Sequence, residues 1–269
     1  MTLPNLAIFL VSGYAFLLAG CTLLQRQLLY FPEPLATPAA PPGMHIWPAS
    51  GEFRGYLAEP SSPAAGTAVV FHGNAGHAGQ RGYYAAALGR FGFRVILAEY
   101  PGYGPRPGEI REESLVVDAR DTLLRASQQF GSPLLAVGES LGAGVVAAAA
   151  GPRQDLVSGL LLITPWKRLE DAAGFHYPWL PVHWLLWDHY DSGSHLAGFS
   201  RPVLIAVAEN DQVVPIRFGS ALYESLSAPK RLSIIPGADH NDWPGQVDEG
   251  WWQEAVAFLL ETGARTTVH

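Results

Sequence analysis

The chain has 269 residues, room for one large α/β domain or two small ones. Hydrophobic residues make up 48% of it and charged residues 15%, which excludes disorder as the dominant state. The 17 Lys+Arg against 24 Asp+Glu leave a net charge of −7 and no basic footprint for nucleic acid, while one Cys excludes an internal disulfide framework and a thiolate zinc site.

Residues Leu6 to Leu24 carry no charge, and the stretch is about long enough to span a bilayer. Two readings of it stay open. Leu18-Ala19-Gly20-Cys21 resembles a bacterial lipobox, in which Cys21 carries lipid and the apolar run is a cleaved signal. Against this, no Lys or Arg precedes the run, and the residues after Cys21 are apolar rather than a polar tether. The other reading is an uncleaved membrane helix ending at Gln25-Arg26. Both lead to a membrane-associated protein, and the lipobox places it in a bacterial cell envelope. The expected organisation is an anchor over 1–24, a linker over 25–44 and one catalytic domain over 45–264. The Pro/Ala-rich run FPEPLATPAAPP supports the linker, since it cannot form a helix or a central strand.

From there the pattern predicts short strands at His45–Pro48 and Phe53–Ala58, then a regular alternation. Strand-like runs at Thr67–Phe71, Arg94–Ala98, Leu134–Val137, Leu160–Ile163, Val203–Ala208 and Leu232–Ile235 are separated by helix-like stretches. Those stretches are Tyr83–Phe91, Glu113–Phe130, Leu141–Ala150, Ile216–Leu226 and, closing the chain, Trp251–Leu260. Continuous apolar strands alternating with helices predict an α/β fold, its mostly parallel central sheet flanked by helices. Eight Trp among 269 residues point to an aromatic pocket.

Gly138-Glu139-Ser140-Leu141-Gly142 matches G-x-S-x-G, directly after the strand LLAV and directly before the helix LGAGVVAAAA. That context is what a nucleophile elbow requires: a tight strand-to-helix turn that projects the serine at the C-terminal sheet edge. A serine hydroxyl needs a base to take its proton and an acid to orient that base. Downstream, Asp211 in Glu209-Asn210-Asp211-Gln212 follows the strand VLIAVA, with Glu209 as the alternative acid. His240 follows the strand LSII, completing the chain order Ser, Asp, His. Asp239 and Asp242 beside it are expected to cap turns. The loop His72-Gly73-Asn74-Ala75-Gly76 follows the first core strand, where the backbone amides of Asn74 and Leu141 would form an oxyanion hole. His72 is expected to hold that loop. Neither metal nor cofactor is called for by this chemistry.

QRQLLYFP, FHGNAGHAGQR, EYPGYGPRPG, GESLGAG, ENDQVVP and GADHND follow one another in an order that resembles the α/β-hydrolase superfamily. More narrowly, the chain is similar to its membrane-anchored branch, which includes protein depalmitoylases, lysophospholipid lipases and many uncharacterised bacterial members. The resemblance implies an α/β-hydrolase fold, with Ser140 as nucleophile, Asp211 as acid and His240 as base. Glu99 stands where that branch usually has Asp, and Pro105-Arg106-Pro107 replaces a more flexible run. The insert at 165–199, rich in Trp, Tyr and Phe, lies where the superfamily places its lid. It reads equally as a structural cover or as an acyl-binding wall. The expected activity is hydrolysis of a small-molecule or lipid acyl ester or thioester through an acyl-enzyme on Ser140. The alternatives are a serine peptidase on the same fold and a non-catalytic binding protein.

Overall fold

The computed structural model describes residues 3–261. The last three residues of the expected domain, 262–264, lie outside them. Eight strands form the main sheet: β1 His45–Trp47, β2 Gly55–Ala58, β3 Gly66–Phe71, β4 Phe93–Ala98, β5 Leu134–Glu139, β6 Gly159–Ile163, β7 Val203–Ala208 and β8 Lys230–Ile235. Their spatial order is β1-β2-β4-β3-β5-β6-β7-β8. The first two pairings, β1 with β2 and β2 with β4, are antiparallel, and every later pairing is parallel. Parallel strands joined by crossovers carry helices on both faces, so both faces of each strand must be apolar. In β3, Val69 and Phe71 face one buried core and Ala68 and Val70 the other.

Helices α2 (Gly82–Gly89) and α9 (Glu249–Leu260) cover one face, inserting Tyr84, Leu88, Trp252, Val256 and Leu259. On the other face lie α3 (Glu112–Phe130), α4 (Leu141–Ala150) and α8 (Ile216–Ser225). Helix α3 presents Leu115, Ala119, Leu123 and Ala126 as one stripe, the mark of a helix with one buried face. Helix α4 is buried all round and is accordingly built from Gly, Ala, Val and Leu. The Trp-rich composition has a different outcome from the expected single pocket. Trp47, Trp243 and Trp252 fill the cores, whereas Trp179, Trp184 and Trp187 are exposed on the insert.

Helix α1 (Leu3–Leu29) runs past the expected anchor boundary at 24, straight through Cys21. The segment after it is a strap bound to the body rather than a loose linker. Phe31–Pro32 pairs in parallel with Ala75–Gly76, and Leu35 N–H donates to Gly104 O at 2.8 Å. The reason lies in Tyr30, 4% exposed, whose hydroxyl meets Asp188 at 2.8 Å and Tyr190 at 2.9 Å. Burying that ring draws the end of α1 down onto the body. The insert at 165–199 folds into three short helices, α5 (Leu169–His176), α6 (Val182–Leu185) and α7 (Ser192–His195).

Candidate active site

Ser140 follows β5 and caps α4 with φ 53° and ψ −113°, a backbone conformation that costs an L-residue about 1–3 kcal/mol. The flanking glycines make the turn possible. A Cβ on Gly138 would stand 2.4 Å from Gly142 O, and one on Gly142 would stand 2.0 Å from Phe71 O. The backbone of α4 therefore passes so close to β3 and β5 that no side chain fits between them. Ser140 N–H donates to Ile163 O at 2.8 Å, pinning the turn to β6.

The loops after β7 and β8 bring Asp211 and His240 to this point, on the same sheet edge. His240 Nε2 lies 3.1 Å from Ser140 Oγ, and His240 Nδ1 lies 2.7 Å from Asp211 Oδ2. Asp211 is 4% exposed, and its other oxygen accepts the N–H groups of Val213 at 2.8 Å and Val214 at 2.7 Å. The alternative acid, Glu209, points elsewhere: its carboxylate accepts Gly237 N–H at 2.8 Å and braces the turn that leads to His240. Asp239 accepts His240 N–H and Asp242 accepts Asp239 N–H, both at 2.6 Å, so these two acids hold the histidine loop.

On the opposite side, His72, Gly73 and Asn74 turn past the serine. A Cβ on Gly73 would be 3.7 Å from Ser140 Cβ. His72 is buried, its Nδ1 2.7 Å from Gly73 O and its Nε2 3.0 Å from Glu99 Oε1. Glu99, the residue in place of the usual Asp, also accepts Ala78 N–H at 3.1 Å through Oε2, so its longer side chain fastens the loop at two points. Asn74 O accepts from Phe31 N–H at 2.9 Å and from Tyr103 OH at 2.8 Å, and Asn74 Nδ2 donates to Leu29 O at 2.7 Å. The end of α1 is thus part of the scaffold beside Ser140. Leu141 opens α4, so its N–H has no acceptor within the helix.

Three groups at the site carried no sequence signal. Glu139, the variable residue of the elbow, accepts from Arg81 Nε at 3.3 Å, Tyr83 OH at 2.5 Å and Tyr84 OH at 3.1 Å. Burial, and then the Glu139 charge, hold both tyrosine hydroxyls well above the usual tyrosine range. Gln25, the buried residue of α1, ties that helix to the insert by donating to Leu185 O at 3.0 Å. His176 reaches from α5 to Val213 O at 2.8 Å, in the loop that carries Asp211. Each of these contacts joins residues distant in the chain.

A mostly parallel sheet presenting Ser, Asp and His, in that chain order, at the ends of β5, β7 and β8 defines the class of α/β-hydrolases. Comparison with known proteins agrees. Residues 62–188 match the family model Hydrolase_4, described as serine aminopeptidase, S33. An uncharacterized protein of Mycobacterium tuberculosis is 35% identical over 250 residues, covering 88% of each chain. The lysophosphatidylserine lipase ABHD12 of Danio rerio is 30% identical over 184 residues, covering 61% of this chain and 48% of that one. Est1E from Butyrivibrio proteoclasticus, in the structure with ferulic acid, superimposes with a TM-score of 0.64 at 18% identity, covering 77% of this chain and 95% of that one. The chain belongs to the α/β-hydrolase superfamily and, within it, to the ABHD-like branch.

Proposed function

We propose that the protein is a membrane-tethered serine hydrolase that cleaves a carboxylic ester or thioester through an acyl-enzyme on Ser140. One observation carries this reading: a serine on a strained elbow, 3.1 Å from a histidine that is itself 2.7 Å from a buried aspartate. His240 takes the Ser140 proton as Oγ attacks the acyl carbon, then returns it to the leaving group. Asp211 holds the imidazole with Nδ1–H toward itself and stabilises the imidazolium. Its second oxygen is fixed by Val213 and Val214, so the carboxylate cannot turn away. The N–H groups of Asn74 and Leu141 receive the oxyanion, each worth about 3 kcal/mol of barrier lowering. Water then repeats the sequence on the acyl-enzyme, and no cofactor enters.

The lipase among the relatives favours an acyl ester as substrate. The family description also raises amide cleavage at a free N-terminus. That would call for a carboxylate to hold an ammonium group, and the carboxylates of the elbow and of the loop beside it are occupied: Glu139 by Arg81 and two tyrosines, Glu99 by His72 and Ala78, and Asp211 by His240 and two backbone amides. Of the two forms of tether, the uncleaved helix has the better support. Tyr14 lies on the stretch that cleavage before Cys21 would remove, and its hydroxyl donates to Trp179 O at 2.8 Å. The intact mass of membrane-extracted protein separates the two, since lipidation at Cys21 removes residues 1–20 and adds acyl chains.

The test of the chemistry is fluorophosphonate labelling of the full chain beside Ser140→Ala, with p-nitrophenyl butyrate and an aminoacyl p-nitroanilide as substrates. Labelling and ester turnover that vanish in Ser140→Ala are the expected result. Anilide turnover exceeding ester turnover would favour the peptidase, and a folded wild type that takes no label would favour a binding protein.

A further inference from the structure

Helix α1 and the lid touch along a considerable length. Tyr14 OH donates to Trp179 O at 2.8 Å. Further down the helix, Gln25 Nε2 donates to Leu185 O at 3.0 Å, and Gln25 Oε1 accepts Trp187 N–H at 2.7 Å. The two contacts are separated by about 16 Å of helix. A bilayer span takes about 20 residues. However such a span is laid on the charge-free stretch Leu6–Leu24, Tyr14 falls within the hydrocarbon, and Trp179 falls there with it.

The lid is built for that position. Tyr177, Trp179, Trp184 and Trp187 are exposed, Trp184 at 88%, a set of aromatic side chains that suits a lipid surface better than water. Non-helical backbone at membrane depth needs protein partners for its polar groups. Tyr14 and Gln25 supply them to Trp179 O, Leu185 O and Trp187 N–H.

Between helix and lid lies an apolar cavity of ≈ 140 Å³, bordered by Cys21, Leu28 and Leu29 of α1 and by Ala173, Leu180 and Leu185 of the lid. It is smaller than the roughly 300–1,000 Å³ typical of sites for drug-sized ligands, which suits a slender alkyl chain and no headgroup. Gln25 also borders it, but its amide is occupied by the lid backbone. Leu29 leads from the cavity to the nucleophile side, because its carbonyl holds Asn74. Helix α5 leads to the acid side, with Ala173 on the cavity and His176 on the Val213 carbonyl.

We infer that the lid lies in the leaflet crossed by the C-terminal half of α1, and that the cavity between them takes the acyl chain of a lipid ester from that leaflet. Helix α1 is then one wall of the acyl site as well as the tether. The acyl assignment rests on the serine-hydrolase reading; the immersion of the lid does not.

Two measurements on the full chain test this. In vesicles of phosphatidylcholine brominated on its acyl chains, tryptophan fluorescence of the wild type is quenched, and the quenched fraction falls in Trp184→Phe and Trp179→Phe. Equal quenching in all three proteins would overturn immersion. In phosphatidylcholine nanodiscs, Ala173→Trp and Leu28→Trp fill the cavity from its two walls. Each lowers the ratio of kcat/KM for p-nitrophenyl palmitate over p-nitrophenyl butyrate by about tenfold or more. A ratio unchanged in both variants would overturn the acyl site. Failure of the wild type to take a fluorophosphonate label would sink the hydrolase reading and the acyl site together, while the quenching result would still decide immersion.

Discussion

At the scale of single residues, the site depends on atoms that differ by one functional group. Asp211 uses its two oxygens for different tasks, one toward His240 and one toward the Val213 and Val214 amides. In Asp211→Asn the amide oxygen can still accept from the two N–H groups, which leaves NH2 facing His240 Nδ1. The imidazole then carries its proton on Nε2, where it can no longer accept from Ser140. The expected loss in kcat is about 10⁴-fold, the size seen when a serine protease triad is altered in this way, with little change in melting temperature. Steady-state kinetics beside thermal unfolding by circular dichroism checks both halves. A variant that unfolds early would instead assign Asp211 a mainly structural part.

At the scale of elements, α1 shows how an apolar helix can be specified by its few polar residues. Its outward face carries Ile8, Phe9, Val11 and Phe16, all exposed, as suits a helix surrounded by lipid. Its inward face is set by Tyr14, Gln25 and the terminal Leu29 carbonyl, each bonded to a different part of the body. Replacing Gln25 by Leu keeps the apolar surface but orphans Leu185 O and Trp187 N–H. Each unsatisfied group costs about 1–3 kcal/mol, enough to loosen the lid without unfolding the sheet. Hydrogen exchange should therefore accelerate across residues 177–190 in Gln25→Leu and stay unchanged in β3 and β5. Uniform acceleration would mean that Gln25 supports the whole fold rather than the lid.

At the scale of the molecule, one buried arginine joins three distant segments. Arg106 NH1 donates to Glu99 O at 2.6 Å and to Asp118 at 2.7 Å, and NH2 donates to Asp118 at 2.7 Å and Glu52 at 2.8 Å. The loop after β4, the β1–β2 turn and helix α3 thus meet at Arg106, beside buried Arg54, which pairs with Asp118 at 2.9 Å. Breaking a buried ion pair from one side costs about 3–5 kcal/mol, so Arg106→Met should lower the melting temperature on the order of 10 °C. Hydrogen bonding to Arg106 holds the Glu52 carboxyl below the usual carboxylate range. A carboxyl whose folded-state value is depressed stabilises the fold above its unfolded value and loses that contribution as pH falls through the folded one. Arg106→Met should therefore flatten the acid side of the stability profile, which calorimetry across the carboxylate range measures. An unchanged acid slope would exclude the Glu52–Arg106 contact as a contributor.

The sequence by itself determined whatever is periodic or local. Helix α4 and strand β7 fall at the predicted residues, because a short apolar run between turn residues has few alternatives. The elbow was legible because its glycines answer to contacts within one strand–turn–helix unit and the strand beside it. The order of Ser140, Asp211 and His240 was legible because each follows a recognisable strand.

Tertiary structure decided what depends on a partner far along the chain. Glu209 and Asp211 are two acids on one strand end, and only the path of the β8 loop turns one toward His240 and the other toward Gly237. The segment after residue 24 read as linker because Pro and Ala carry no pairing signal. It is a strap because Tyr30 finds Asp188 and Tyr190 about 160 residues away. Composition told that Leu6–Leu24 is apolar, but nothing in it sets Gln25 apart from Gln27 until the backbone of the 165–199 insert needs the Gln25 amide. Hydrophobic pattern is carried by the residues themselves, whereas the pairing of polar groups is a property of which surfaces meet.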